Sequence, residues 1–127
     1  MATTLKAMME AANSAVPRIN AADAAALMAS GKAVVVDVRD GAEVMASGKV
    51  KGAVHISRGL LEFKADPNSP AHEQALDPNK TVILYCGSGG RSALAGKTLL
   101  DLGYKDVRNL GAFKDWAAGG GAVEKIS

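Results

Sequence analysis

The chain has 127 residues, 48% hydrophobic and 22% charged, with 15 basic and 13 acidic side chains giving a net charge of +2. That length suits one domain with a packed core rather than two, and so small and scattered a positive excess argues against a nucleic-acid or membrane partner. Its apolar runs are too short to span a bilayer, its start interrupts an apolar stretch with Lys6 and Glu10 and does not resemble a secretory signal, and its single cysteine excludes an internal disulfide, all of which suits a cytoplasmic, reducing setting.

Leu5, Met8, Met9, Ala12 and Val16 recur at close to helical spacing and predict a helix over Leu5–Ala15, stopped by Pro17. Residues 1–15 therefore read as a helical extension ahead of the main domain. Arg18-Ile19 follows as a short edge strand. Asn20 is a good N-cap for a helix over Ala21–Ala29, with Asp23 in its first turn, where a negative charge suits the helix dipole. Ala33–Val38 is the strongest strand signal, apolar throughout as a parallel strand covered on both faces should be. Asp40-Gly41-Ala42-Glu43 is a capping box that opens a short helix over Gly41–Ala46. Asp37 and Arg39 fall at the end of their strand, where a structural ion pair is the expected role, Arg39 with Glu43 being its simplest form.

Gly48–Ala53 is a turn into the short strand Val54-His55-Ile56. His55, flanked by apolar residues, is expected to be a hydrogen-bonded structural histidine rather than a base. Arg58 would lie at the end of that strand, before a short helix over Leu60–Lys64. Ala65–Lys80 carries three prolines and is irregular, with a short helix expected over Ala71–Leu76. Arg91–Leu102 is an Ala/Leu-rich helix with Gly103 as its C′ residue. Val107–Leu110 is a last strand, and a terminal helix runs from Gly111 through Phe113 and Trp116 to Gly119-Gly120-Gly121. Alternating strands and helices with no repeat and no linker imply one α/β domain with a mostly parallel sheet over residues 16–122, leaving 123–127 as a tail.

The chemistry concentrates in Thr81–Ser92. Thr81–Tyr85 is a buried strand, Cys86-Gly87-Ser88-Gly89-Gly90 a glycine-rich loop, and Arg91 and Ser92 open the next helix. The only cysteine thus sits at the carboxyl end of a strand, where open α/β sheets bind ligands. Backbone N–H groups of such a loop can converge into an anion nest, and the following helix adds unpaired N–H groups and a positive dipole end. A thiol there is biased toward the nucleophilic thiolate. A lone cysteine at a strand end is more often inert, but an inert one needs neither the glycines nor the arginine. His55 and His72 form no metal-ligating cluster with Cys86, so no metal or cofactor is expected.

These motifs resemble the rhodaneses, single-domain sulfurtransferases, over about Val16–Ala122. Three stretches carry the resemblance: Val36-Asp37-Val38-Arg39 with Glu43, Gly48, Gly52 and Ala53; Leu84–Ser92; and Leu102-Gly103-Tyr104 with Val107, Leu110, Gly111, Phe113 and Trp116. The resemblance implies a five-stranded, mostly parallel sheet with helices on both faces. It also implies that Cys86 takes a sulfane sulfur from a small anionic donor such as thiosulfate, or from a persulfidated thiol. The resulting persulfide would pass it to cyanide, a thiol or a protein acceptor such as a sulfur carrier. Gly87, Ser88, Gly89, Gly90, Arg91 and Ser92 would cradle the persulfide, with Arg91 and Arg58 attracting the anionic donor. Asp37 and Arg39 would stand behind them. Two departures are visible: Lys49-Val50-Lys51 where the family often has His-Ile-Pro, and Gly111-Ala112 where it has Gly-Gly. A non-catalytic rhodanese-like binding module is the main alternative. A cysteine-dependent phosphatase or arsenate reductase is a weaker one, because those loops place five residues between Cys and Arg and this one places four.

Overall fold

The computed structural model describes residues 2–126. The elements run α1 Leu5–Ala15, α2 Ala21–Ala29, β1 Ala33–Asp37, α3 Gly41–Ser47, β2 Lys49–Val50, β3 Val54–His55, a 3₁₀ turn Arg58–Leu60, α4 Leu61–Ala65, β4 Thr81–Cys86, α5 Gly90–Asp101, β5 Asp106–Ala112, α6 Phe113–Ala118 and β6 Val123–Glu124. The caps behave as their sequences require. Asn20 Oδ1 accepts from Asp23 N–H at 2.7 Å, and Glu43 Oε2 accepts from Asp40 N–H at 2.9 Å in the capping box of α3.

The main sheet has the order β3-β1-β4-β5, all parallel. The apolar runs of β1 and β4 are divided by their period of two between two cores. Val36, Val82, Leu84 and Cys86 face one core with Leu61 of α4 and Ala95 and Leu99 of α5. Val35, Ile83 and Tyr85 face the other with Ala24 of α2 and Phe113 and Trp116 of α6. Helices therefore cover both faces. The first helix is tied in as well: Ala12 is fully buried, and Val16 joins the α5-side core.

Four expectations change. The sheet has four strands rather than five. The expected fifth, Arg18-Ile19, is a single parallel bridge to Asn109. Its two hydrogen bonds, Ile19 N–H to Asn109 O and Asn109 N–H to Pro17 O, are parallel-sheet bonds, but Pro17 supplies no N–H and α2 begins almost at once, so no ladder extends. Residues 71–76 form turns rather than a helix; the side chains of Ser69 and Glu73 accept the N–H groups of Ala71 and Ala75 in local turns that compete with it. Lys49-Val50 pairs antiparallel with Val123-Glu124 in a small second sheet, so residues 123–127 include a strand. Lys49 Nζ anchors that pairing on Glu124. No described helix is long and apolar enough to cross a membrane.

The parallel arrangement puts the C-terminal ends of β1, β3, β4 and β5 on one edge. There Asp37 pairs with His55 and with Tyr85, and Cys86 pairs with Ala112. A register shift in β5 opposite Leu84 and Tyr85 leaves Leu110 as an extra residue.

Candidate active site

Cys86 is the last residue of β4 and is fully buried. The chain then turns back over its own sulfur. Gly89 N–H points at Sγ at 3.0 Å, Ser92 N–H at 3.4 Å, and Ser92 Oγ lies 3.4 Å away. That closure needs Gly89 at φ +98°, a conformation strongly disfavoured for residues with a Cβ. Burial pushes the Cys86 thiol up, but the hydroxyl and N–H of Ser92 and the N–H groups of Ser88 and Gly89 outweigh it and bring the thiol below its ordinary range. The first N–H groups of α5, on Gly90 and Arg91, lack intrahelical acceptors.

Arg91 does not stand as a free cation. Its guanidinium is bidentate with Glu43, Nη1 to Oε2 at 2.6 Å and Nη2 to Oε1 at 2.9 Å. The pair lies against Gly87, where a Cβ would come within 2.9 Å of Arg91 Nη2 and 3.4 Å of Glu43 Oε1. Glu43 is thereby drawn down to about 2, first by Arg91 and then by the Asp40 N–H. Its folded-state value is depressed, so its share of stability is complete above about pH 4.5 and is lost as pH falls toward 2. The expected Arg39–Glu43 pair is corrected at both ends. Arg39 binds Asp37 instead, Nε to both carboxylate oxygens at 3.1 Å and Nη2 to Oδ2 at 2.8 Å.

The Asp37–Arg39 pair is buried beneath the edge. Tyr85 Oη donates to Asp37 Oδ2 at 2.6 Å and accepts from Val50 N–H. Burial, then the Asp37 carboxylate, push that hydroxyl far above the phenol range. Arg39 also donates to Ser47 Oγ and Gly48 O, and its guanidinium stacks over Phe113 at 4.3 Å. It ties β1, α3 and α6 together. His55 Nε2 donates to Arg39 O at 2.8 Å, a structural role as expected. Arg58 is turned the other way: it binds Glu62 at 2.9 Å and Thr98 Oγ1 on α5 at 3.0 Å, two turns beyond the loop. A cavity of about 720 Å³ is lined by residues including Met28, Val35, Lys51 and Trp116 and by none of the loop.

A buried thiol at the carboxyl end of a parallel strand, wrapped by its own loop, is the arrangement the sequence resemblance implied. The family model for the rhodanese-like domain matches residues 20–119. The chain belongs to the rhodanese family. It is 32% identical over 108 residues to the human thiosulfate:glutathione sulfurtransferase, covering 79% of this chain and 92% of that protein. Among solved structures, a protein of unknown function from Rhodopseudomonas palustris, described as a possible tyrosine phosphatase, superposes with TM-score 0.87 at 41% identity over 98% of this chain and 96% of that one. The polysulfide-sulfur transferase homodimer of Wolinella succinogenes superposes with TM-score 0.74 at 35% identity, over 96% and 88% of the two chains. The chain is a sulfurtransferase of the rhodanese type.

One residue of this rhodanese site escaped the sequence reading. Asn109 of β5 is almost fully buried. Its Oδ1 accepts from Ser92 Oγ–H at 2.7 Å and from Gly111 N–H at 2.9 Å, while Nδ2 donates to Gly89 O at 3.3 Å. The two backbone groups fix the amide's orientation, because a flip would set N–H against N–H and C=O against C=O. Asn109 therefore competes with Cys86 for the one proton of Ser92. Its signal in the sequence was an amide inside an otherwise apolar strand end. We expect Asn109→Ala to cost about 1–3 kcal/mol, from the Gly111 N–H left unpaired; Gly89 C=O keeps the Ala93 N–H. It should also lower the pH midpoint of Cys86 alkylation, a shift absent in a Ser92→Ala background. An upward shift would contradict the competition.

The Gly111-Ala112 departure has a simple account. Gly111 is the position at φ +95°, and a Cβ there would lie 2.4 Å from Arg18 Nη2. Ala112 is extended, at φ −91°, where any residue fits.

Proposed function

We propose that this rhodanese carries sulfur on Cys86. The thiolate attacks the outer, sulfane sulfur of a donor such as thiosulfate or a persulfidated thiol. The donor's bond to that sulfur breaks, and its remainder leaves with the electron pair as sulfite or a thiolate. An acceptor nucleophile, cyanide or a thiol, then attacks the outer sulfur of the Cys86 persulfide and returns the Cys86 thiolate. No redox partner, metal or cofactor enters either displacement. The terminal sulfur carries negative charge after the first step, and in this reading the N–H groups of the Gly87–Ser92 loop stabilise it.

The observation that carries this reading is the loop closed on Sγ, with two backbone N–H groups directed at the sulfur and the Ser92 hydroxyl oxygen beside it. The names of the relatives support the donor and acceptor classes: thiosulfate and glutathione for the human enzyme, polysulfide for the Wolinella protein. A free thiol as working group suits a reducing, cytoplasmic setting. The phosphatase reading of the Rhodopseudomonas neighbour is less well supported here, because the four-residue interval makes a nest tighter than a phosphoryl group with three equatorial oxygens needs. A binding-module reading leaves the lowered thiol without a use.

Two separate displacements predict ping-pong kinetics. With thiosulfate and cyanide varied together, double-reciprocal plots should be parallel; intersecting lines would require both substrates bound at once and would contradict a free persulfide intermediate.

A further inference from the structure

Four arginines stand at the loops of the C-terminal edge, and three of them are engaged by a carboxylate; the fourth, exposed Arg18, donates to Leu110 O at 3.5 Å and lies against Gly111. Arg39 is held by Asp37 below the surface, Arg58 by Glu62, and Arg91 by Glu43. Only the last pair touches the Cys86 loop, through Gly87. Its side chains are 36% and 38% exposed, within reach of a small solute. Asp40, at the N-cap of α3, adds a further negative charge that acts on Arg91, and Arg39 acts on Glu43 from behind. The expected attraction of an anionic donor to a bare Arg91 is therefore cancelled at the mouth.

We infer that Glu43 is a specificity-determining residue: by neutralising Arg91 beside the loop, it makes the site favour singly charged sulfane donors over the thiosulfate dianion. This rests on the sulfur-transfer reading. The physical ground is the difference between one and two negative charges approaching a neutral ion pair rather than a bare guanidinium. At a half-exposed site within a few ångströms, one unit of charge is worth about tenfold in relative kcat/KM.

The test compares thiosulfate with methanethiosulfonate, which differ by one charge and deliver sulfur by the same displacement. Thiosulfate releases sulfite and methanethiosulfonate releases methanesulfinate, each leaving one sulfur on Cys86. In Glu43→Gln, which can still accept the Asp40 N–H, the ratio of kcat/KM for thiosulfate to that for methanethiosulfonate should rise about tenfold, carried by KM for thiosulfate. Glu43→Asp, which keeps the charge, should hold the wild-type ratio. An unmoved ratio in Glu43→Gln, with both donors still loading the enzyme, overturns the inference and leaves sulfur transfer intact. Should that variant not fold, Arg18→Gln, which removes the remaining cation at this edge and keeps the Glu43–Arg91 pair, decides instead: its kcat/KM for thiosulfate should be nearly flat between about 0.02 and 0.5 M salt, whereas a steep fall marks a basic mouth and overturns the inference. If neither donor transfers sulfur to the wild type, the sulfur-transfer reading fails and this one fails with it.

Discussion

Cys86→Ala should remove sulfur transfer to the level of the uncatalysed reaction, a loss of roughly 10⁴-fold or more in kcat/KM for every donor and acceptor pair. The expectation follows from the division of labour at the site. The loop N–H groups stabilise charge on sulfur but have no reacting atom of their own, and the side chains around them are occupied. Arg91 is bound to Glu43, and Ser92 to Asn109 and Gly89. No second thiol exists in the chain to take over. The fold should persist, because the lost atom is one sulfur at the margin of the α5-side core. A cost of about 1 kcal/mol, a few degrees in Tm, is in scale. Residual turnover within tenfold of wild type would remove Cys86 from the nucleophile's role.

Asp37→Ala should be the most destabilising single change, at about 3–5 kcal/mol. Asp37 has no exposed surface. It accepts from the Arg39 backbone N–H at 2.9 Å, from the Arg39 guanidinium and from Tyr85 Oη. Removing it leaves a guanidinium that is 3% exposed without its counter-charge, and Tyr85 without an acceptor. Burial works against the Arg39 charge, and the Asp37 carboxylate overcomes it and raises the guanidinium above its usual range. The loss is comparable with the whole stability of many domains this size. Thermal melting of Asp37→Ala against wild type measures it. Asp37→Asn, which keeps acceptors for Tyr85 and the backbone, should recover part of the loss. An unchanged Tm with lost activity would instead move Asp37 into the chemistry.

The parts of the site legible in the sequence were those set by local chemistry. A β-branched run, three glycines in five residues and an Ala/Leu helix placed Cys86 at a strand end under a closed loop, because each element is specified within a few residues. The alternating pattern likewise gave the parallel sheet and its covering helices. What failed was pairing across distance. Glu43 lies four residues from Arg39 and forty-eight from Arg91, and spacing favoured the nearer partner. The choice was made by the capping box, which points the Glu43 carboxylate back along α3, and by the sheet order, which sets β4 beside β1. A strand-end position puts Arg58 at the edge of the site but leaves its direction open, and its long side chain follows Glu62 and Thr98. Asn109 was hidden for a related reason. Its role depends on β5 lying beside β4 with a register shift that brings Gly111 opposite Tyr85. The missing fifth strand is a matter of extent: Arg18 reaches Asn109, but Pro17 stops the ladder.

The central claim is that sulfur rests covalently on Cys86 between donor and acceptor. Intact-protein mass spectrometry after incubation with thiosulfate or methanethiosulfonate, without reductant, tests it most directly. The expected result is a gain of one sulfur atom, reversed by cyanide and absent in Cys86→Ser. No gain from either donor, with Cys86 still open to alkylation, would contradict it.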